Sequence, residues 1–461
     1  MTVDYSTEYR ESILIKNILL GRKSQDVLIE GNRFTRIEDK IDLSANRVVE
    51  GKGKALLPPF YNAHTHAAMS LLRGCAEDMH LTEWLRDKIW PLEAKLQGDD
   101  HYVGTRLAIL EMIKSGTVFF SDMYFNVPDT IRAVEEMGIR AAIGVTFLES
   151  NGAKYIERGL RLLENLPETS SRVQITVAPH AVYTVSEDLF KRLAAMARER
   201  SLIIHTHLAE TRQEVQDCIA AHGMSPVRWL DHLGLLTPNT VAAHVVHADD
   251  YELDLLRDRG VWLVHNPCSN MKLGSGVFRS ADIIEKKLKV ALGTDGCSSN
   301  NNLDMREEMK IASLLAKVHY GSEALKVEEV FRWATLNAAR AYGLDAGEIA
   351  VGKLADALII DLNNVRMVPS YDLLSNWVYS ADSSCIDSVI CDGKFLMQGG
   401  KVPGEELILE AAFKASSRLA AKTTETKTSR SFERKCRKHA IFAAPFTIVI
   451  LLCRFHHAAE L

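Results

Sequence analysis

The chain has 461 residues, 47% hydrophobic and 25% charged, with a formal net charge of −5. That length allows one large core plus a smaller unit, and the composition is that of an ordinary globular enzyme. The charge excludes an electrostatic nucleic-acid binder, and eight cysteines with no C-x-x-C pair exclude a disulfide framework. Residues 1–10 are polar and carry Asp4, Glu8 and Arg10, so no signal peptide and a cytoplasmic location are expected.

The first elements read as β. Ser12–Leu20 is a candidate strand, and 26–37 a hairpin turning at Gly31-Asn32. Residues 1–55 are expected to be the N-terminal part of a β-sandwich. From residue 56 the pattern changes. Eight apolar runs, at 56–63, 116–121, 140–147, 173–178, 202–206, 240–243, 261–264 and 290–294, alternate with amphipathic stretches such as 99–115, 186–200 and 250–259. Near-continuous apolar strands separated by helices imply a parallel sheet covered on both faces. Eight such units predict an α/β chain with a (β/α)8 TIM barrel over 56–345, its active site at the C-terminal strand ends. Residues 346–415 return to β character at 355–361 and 388–396, the second turning at Asp392-Gly393. They are expected to complete the β-sandwich, making it a small composite domain built from both chain ends. Residues 416–461 are expected to form a disordered or peripheral tail. Its apolar run 441–453 is too short to span a membrane, and no membrane partner is expected.

Many of the apolar runs end in a group capable of chemistry. The first ends at His64 and His66, the fourth at His180, the fifth at His207, the sixth at His244, the seventh at His265-Asn266 and the eighth at Asp295. Residues i and i+2 of a strand share a face, so His64 and His66 can aim two imidazoles at one point. Taken alone, that pair reads equally as two packed histidines. His205 and His207 also share a face. His207 is nearer the strand end, so His205 is expected one layer deeper, packed and bonded to backbone. Glu210, just past the strand, can lean over the mouth as a proton carrier, although an exposed glutamate is the plain alternative. His64, His66, His207 and Asp295 together make three imidazoles and a carboxylate. That set suits one divalent metal with a position open for water: Zn²⁺ first, Fe²⁺ or Mn²⁺ as alternatives. The fourth run holds no lysine, so no carbamylated bridge to a second metal is available there.

The stretches Ala63-His64-Thr65-His66, Val177-Ala178-Pro179-His180, His205-Thr206-His207-Leu208-Ala209-Glu210-Thr211, His265-Asn266-Pro267 and Gly293-Thr294-Asp295-Gly296 resemble the amidohydrolase superfamily. More narrowly they resemble the 5-methylthioadenosine/S-adenosylhomocysteine deaminases, in the branch that also holds triazine hydrolases. The similarity runs from about residue 10 to about 415. It implies a hydrolase that converts the adenine ring of a 5′-substituted adenosine to hypoxanthine with release of ammonia. It implies the metal ligands just named, Glu93 on the ribose hydroxyls, His180 on the substrate, and Ser299 near the nucleoside's outer substituent. It implies that Glu210 protonates the purine, His244 orients the attacking hydroxide, and Asp295 takes the proton. A small-molecule substrate and a homo-oligomer are expected. One departure stands out: relatives carry an arginine where this chain has Val145. Lys154 or Arg158 could substitute for it from the following loop. Alternatives within the fold are guanine or pterin deamination or triazine hydrolysis. A more distant alternative is a scaffold that has lost chemistry.

Overall fold

The structure is a computed structural model that describes residues 12–425. Five strands open the chain: β1 (Ser12–Leu20), β2 (Lys23–Glu30), β3 (Arg33–Glu38), β4 (Arg47–Glu50) and β5 (Lys54–Leu57). Eight more follow: β6 (Phe60–Thr65), β7 (Thr117–Asp122), β8 (Arg140–Phe147), β9 (Val173–Pro179), β10 (Ile204–Leu208), β11 (Thr240–His244), β12 (Trp262–His265) and β13 (Lys289–Leu292). Strands β14 (Ala357–Asp361), β15 (Ile386–Cys391) and β16 (Lys394–Gln398) come last.

β6 to β13 pair in sequence order, all parallel, with helices between them. β7 and β8 are buried along their whole length, as strands covered on both faces must be. The ring closes between the last and first strands. Asp295 N–H donates to the His64 carbonyl at 3.0 Å. Asn62 spans the same seam, accepting from Thr294 N–H at 3.1 Å and donating to Thr294 Oγ1 at 2.7 Å. Gly293 makes this approach possible, since a Cβ there would lie 2.6 Å from Asn266 Oδ1 and 2.8 Å from the His64 nitrogen. The result is the expected (β/α)8 barrel.

The helices carry their own start signals. Asp249 and Glu252 form a reciprocal capping box that begins Asp250–Asp258. Helix Glu187–Arg200 has acids in its first turn, arginines in its last, and buries Leu189, Phe190, Leu193, Ala194 and Ala197.

The second sheet runs β16-β15-β14-β5-β1-β2-β3, with β4 beside β1. It therefore takes strands from both chain ends. Alternation sorts its side chains: Ile13, Ile15, Val27, Ile29 and Ile359 enter one cluster, Leu14, Leu28 and Ile41 another. Two details differ from expectation. The strands form one continuous ladder instead of two separately bonded sheets. The run 56–63 also splits at Pro58-Pro59, because proline lacks the N–H a ladder needs. Residues up to Leu57 pair with β14 in the second sheet, while Phe60 starts the barrel.

Arg140, Asp356 and Asp392 join the two sheets. Arg140 donates to Asp356 at 3.0 Å and to Asp392 at 2.7 Å, and Tyr61 donates to Asp356 at 2.8 Å. The last described element, helix Glu405–Glu425, includes the start of the expected tail. Residues 426–461, with the apolar run 441–453, lie outside the described residues. Among those described, no helix is long and apolar enough to cross a membrane.

Candidate active site

The groups singled out at the run ends gather at one end of the barrel. Where they do, the backbone leaves the sheet sharply: Ala209, His244, Val245 and Asp295 have φ of 49°, 73°, 45° and 60°. Non-glycine residues in that region are strained by roughly 1–3 kcal/mol each, and such strain clusters at functional sites.

The imidazoles are held from behind. His66 Nδ1 bonds the Met123 carbonyl at 2.6 Å, and His207 Nδ1 bonds the His180 carbonyl at 2.9 Å. His64 Nδ1 meets His205 Nε2 at 2.9 Å, and His244 Nδ1 meets Asn270 Oδ1 at 2.8 Å. Every Nδ1 is thus engaged and every Nε2 turns inward. Asp295 follows the same logic. Its Oδ2 accepts from Ser269 at 2.6 Å and Ser299 at 2.8 Å, leaving Oδ1 at 3.0 Å from His66 Nε2 and 3.3 Å from His64 Nε2. One donor atom from each of His64, His207, His244 and Asp295 lies within 4.8 Å of all the others. His66 is outside that mutual set, yet its Nε2 is 3.3 Å from His207 Nε2. Five groups therefore crowd one point.

The donor set fits a divalent cation. His64 Nε2 is buried and makes no hydrogen bond, a costly state for a ring nitrogen that a metal would relieve. The outer partners fix each ring's tautomer and direction, as around bound metals generally. Burial lowers His64 to about 4 and His207 well below the usual range, which keeps both neutral and able to ligate. Burial also pulls on His66, but the Asp295 carboxylate outweighs it and lifts the group to about 9. Burial alone would raise Asp295. The His64 and His66 rings beside it hold it well below the carboxylate range instead.

Above this centre lies a cavity that opens to solvent. His180, Glu210 and Glu93 line it with Trp84, Trp90 and Leu273. Glu210 accepts from Ser275 Oγ at 3.2 Å and lies 3.8 Å from His244 Nε2. Burial raises its pKa, which suits a group that must carry a proton near neutrality. Burial likewise raises Glu93 to about 7, although the Tyr124 hydroxyl, donating at 2.8 Å, opposes it.

Some placements correct the sequence reading. His205 bonds no backbone: it bridges His64 to Ser121, whose hydroxyl lies 3.0 Å from His205 Nδ1. Ser299 does not line the cavity. The turn from Gly296 points its hydroxyl back at Asp295. His265 stacks on Phe278 with ring centres 4.3 Å apart and also stays outside the cavity. Val145 lines a neighbouring apolar cavity together with Arg158, and that cavity shares Tyr124 and Thr146 with the first. Lys154 lines neither. Sequence reasoning missed Tyr124, Ser269 and Asn270. Nothing in the residue type of Ser269 and Asn270 shows which way they point.

Comparison with known proteins places the chain in a family. The chain is 44% identical to 5′-deoxyadenosine deaminase of Methanothermobacter thermautotrophicus, over 89% of this chain and 99% of the relative. It is 44% identical to 5-methylthioadenosine/S-adenosylhomocysteine deaminase 1 of Archaeoglobus fulgidus, over 88% and 99%. Its fold matches a zinc-bound adenosine deaminase from Xanthomonas campestris with a TM-score of 0.84, at 31% identity over 89% and 99% of the two chains. Residues 55–396 match the amidohydrolase family, and the chain belongs to it.

Proposed function

We propose that the protein is a metal-dependent hydrolytic deaminase of 5′-substituted adenosines, such as 5′-deoxyadenosine, 5-methylthioadenosine or S-adenosylhomocysteine. The carrying observation is the set of inward-facing Nε2 atoms and Asp295 Oδ1 beneath a cavity whose wall holds a second, separate carboxylate, Glu210. The relatives' activities support the choice of substrate.

In this reading His64, His66, His207 and Asp295 hold one divalent ion, with Zn²⁺ the first candidate. Bound there, the ion supplies a water whose pKa falls from about 15.7 to about 7. His244 Nε2 faces the centre and directs the attacking water toward C6 of the adenine. Asp295 Oδ1 receives its proton. Glu210, whose pKa burial raises, donates to N1 and so weakens the ring's aromatic resistance to attack. Asp295 passes its proton to the departing amine, Glu210 recovers one from the C6 hydroxyl, and release of ammonia leaves the ring as hypoxanthine. Glu93, steadied by Tyr124, accepts from the ribose hydroxyls, and His180 contacts the substrate. The two carboxylates differ in role because only one touches the metal position.

The test is ammonia release from 5′-deoxyadenosine, 5-methylthioadenosine, S-adenosylhomocysteine, adenosine and guanine, with the metal content of the purified protein measured alongside. Turnover of at least one adenosine-type substrate with about one equivalent of metal is expected. Activity confined to guanine would sink the substrate reading, and a metal-free active protein would sink the mechanism.

A further inference from the structure

One buried carboxylate beside the site has no part in the chemistry above. Glu214 lies in the first turn of helix Arg212–His222 and is buried. Its Oε1 accepts from Ala209 N–H at 3.0 Å and its Oε2 from Glu210 N–H at 2.7 Å. Two backbone amides therefore satisfy it. Those amides flank the left-handed residue of the turn, Ala209, whose φ is 49°. The Ala209 carbonyl is fixed as well, accepting from Val246 N–H at 3.0 Å and His247 N–H at 2.9 Å. Thr211 caps the helix through Glu214 N–H at 3.1 Å, which anchors Glu214's own backbone. Nothing in this arrangement touches the cavity, yet all of it sets the direction in which Glu210 leaves the strand.

We propose that Glu214 is a positioning residue: its two oxygens clamp the left-handed turn, and the clamp aims the Glu210 carboxylate at the heterocycle. The proposal rests on Glu210 as the proton donor. A carboxylate accepts both amides, whereas a carboxamide of the same shape accepts one and presents a donor to the other. A misplacement of about 1 Å at a reacting group can cost about 100-fold in rate. Substrate held mainly by Glu93, His180 and the apolar walls would bind as before.

The experiment compares Glu214→Gln, Glu210→Gln and the double variant for kcat, KM, metal content and melting temperature. Glu214→Gln is expected to keep its metal and its KM within about threefold, while kcat falls roughly 10–100-fold. In the Glu210→Gln background the same change should cost nothing further, because the group being aimed is gone. Glu214→Asp, one methylene shorter and able to reach one amide, should show the same kcat-selective loss if Glu214→Gln folds poorly. The proposal is overturned if Glu214→Gln lowers melting temperature but leaves kcat intact, or if its loss persists in full without Glu210. Parent-level turnover by Glu210→Gln would overturn it from below, by removing the proton donor it depends on. A dead Glu210→Gln beside a fully active Glu214→Gln would reject the clamp alone.

Discussion

His205 shows how much of this site is built behind the ligands. It lies on the same face of its strand as His207, yet its ring supports His64 instead of facing the centre. Outer partners of metal-binding histidines typically contribute about 10–100-fold in metal affinity. His205→Phe is therefore expected to weaken binding of the proposed divalent metal by that factor, read by chelator competition, with the fold intact by circular dichroism. Tyr124 does for Glu93 what His205 does for His64. Tyr124→Phe removes one hydrogen bond to a carboxylate, about 1.5 kcal/mol, so KM for ribosides should rise about tenfold. Its kcat should hold within about twofold, and an equal fall in kcat would show that Tyr124 acts on the chemistry itself. The histidines that gather at the strand ends were legible in the sequence because histidine is rarely placed repeatedly at such positions without a use. Tyr124, Asn270 and Ser269 were not, since their roles depend on side-chain direction in loops. The direction of Ser299 was hidden for the same reason: its hydroxyl turns toward Asp295.

At the scale of elements, the loops after β12 and β13 are tied together by Glu308, on helix Met305–Tyr320. Its carboxyl accepts from Cys268 N–H at 3.1 Å and Asn300 Nδ2 at 2.5 Å. Burial raises its pKa to about 8. A carboxyl whose folded pKa exceeds its unfolded value favours the fold fully below the unfolded pKa, about 4.3, and loses that contribution as pH rises toward 8. Glu308→Gln, which cannot ionise, should lack this loss. Its melting temperature relative to the parent should climb between pH 5 and pH 8.5, whatever the constant offset. A flat difference would mean that Glu308 is already ionised in the folded protein. The strands themselves were readable, because a β-strand buried on both faces must be near-continuously apolar, as 141–145 is. That same signal hid the break at Pro58-Pro59, where two strands of different sheets abut in one apolar run.

At the scale of the whole molecule, Arg140, Asp356, Asp392 and Tyr61 bind the barrel to the second sheet in a buried network. Asp356→Ala would leave the Arg140 guanidinium, 2% exposed, without its main partner. Breaking a buried pair on one side typically costs about 3–5 kcal/mol, to be read from the midpoint of urea unfolding. Replacing Asp356 and Arg140 together with apolar residues should cost less than Asp356→Ala alone. The residue types of this network carried no such message in the sequence, since an arginine opening one strand and an aspartate preceding another are ordinary. What the sequence did show was the similar hairpin at each end of the chain, and β5 does pair with β14, Leu56 opposite Ile359. During synthesis Leu56 leaves the ribosome long before Ile359 exists. Until then β5 presents an open edge, and closing so long a loop is slow. A nascent chain can complete its catalytic ring while the edge of β5 that takes β14 is still bare, so premature termination would leave that border exposed to any neighbouring polypeptide.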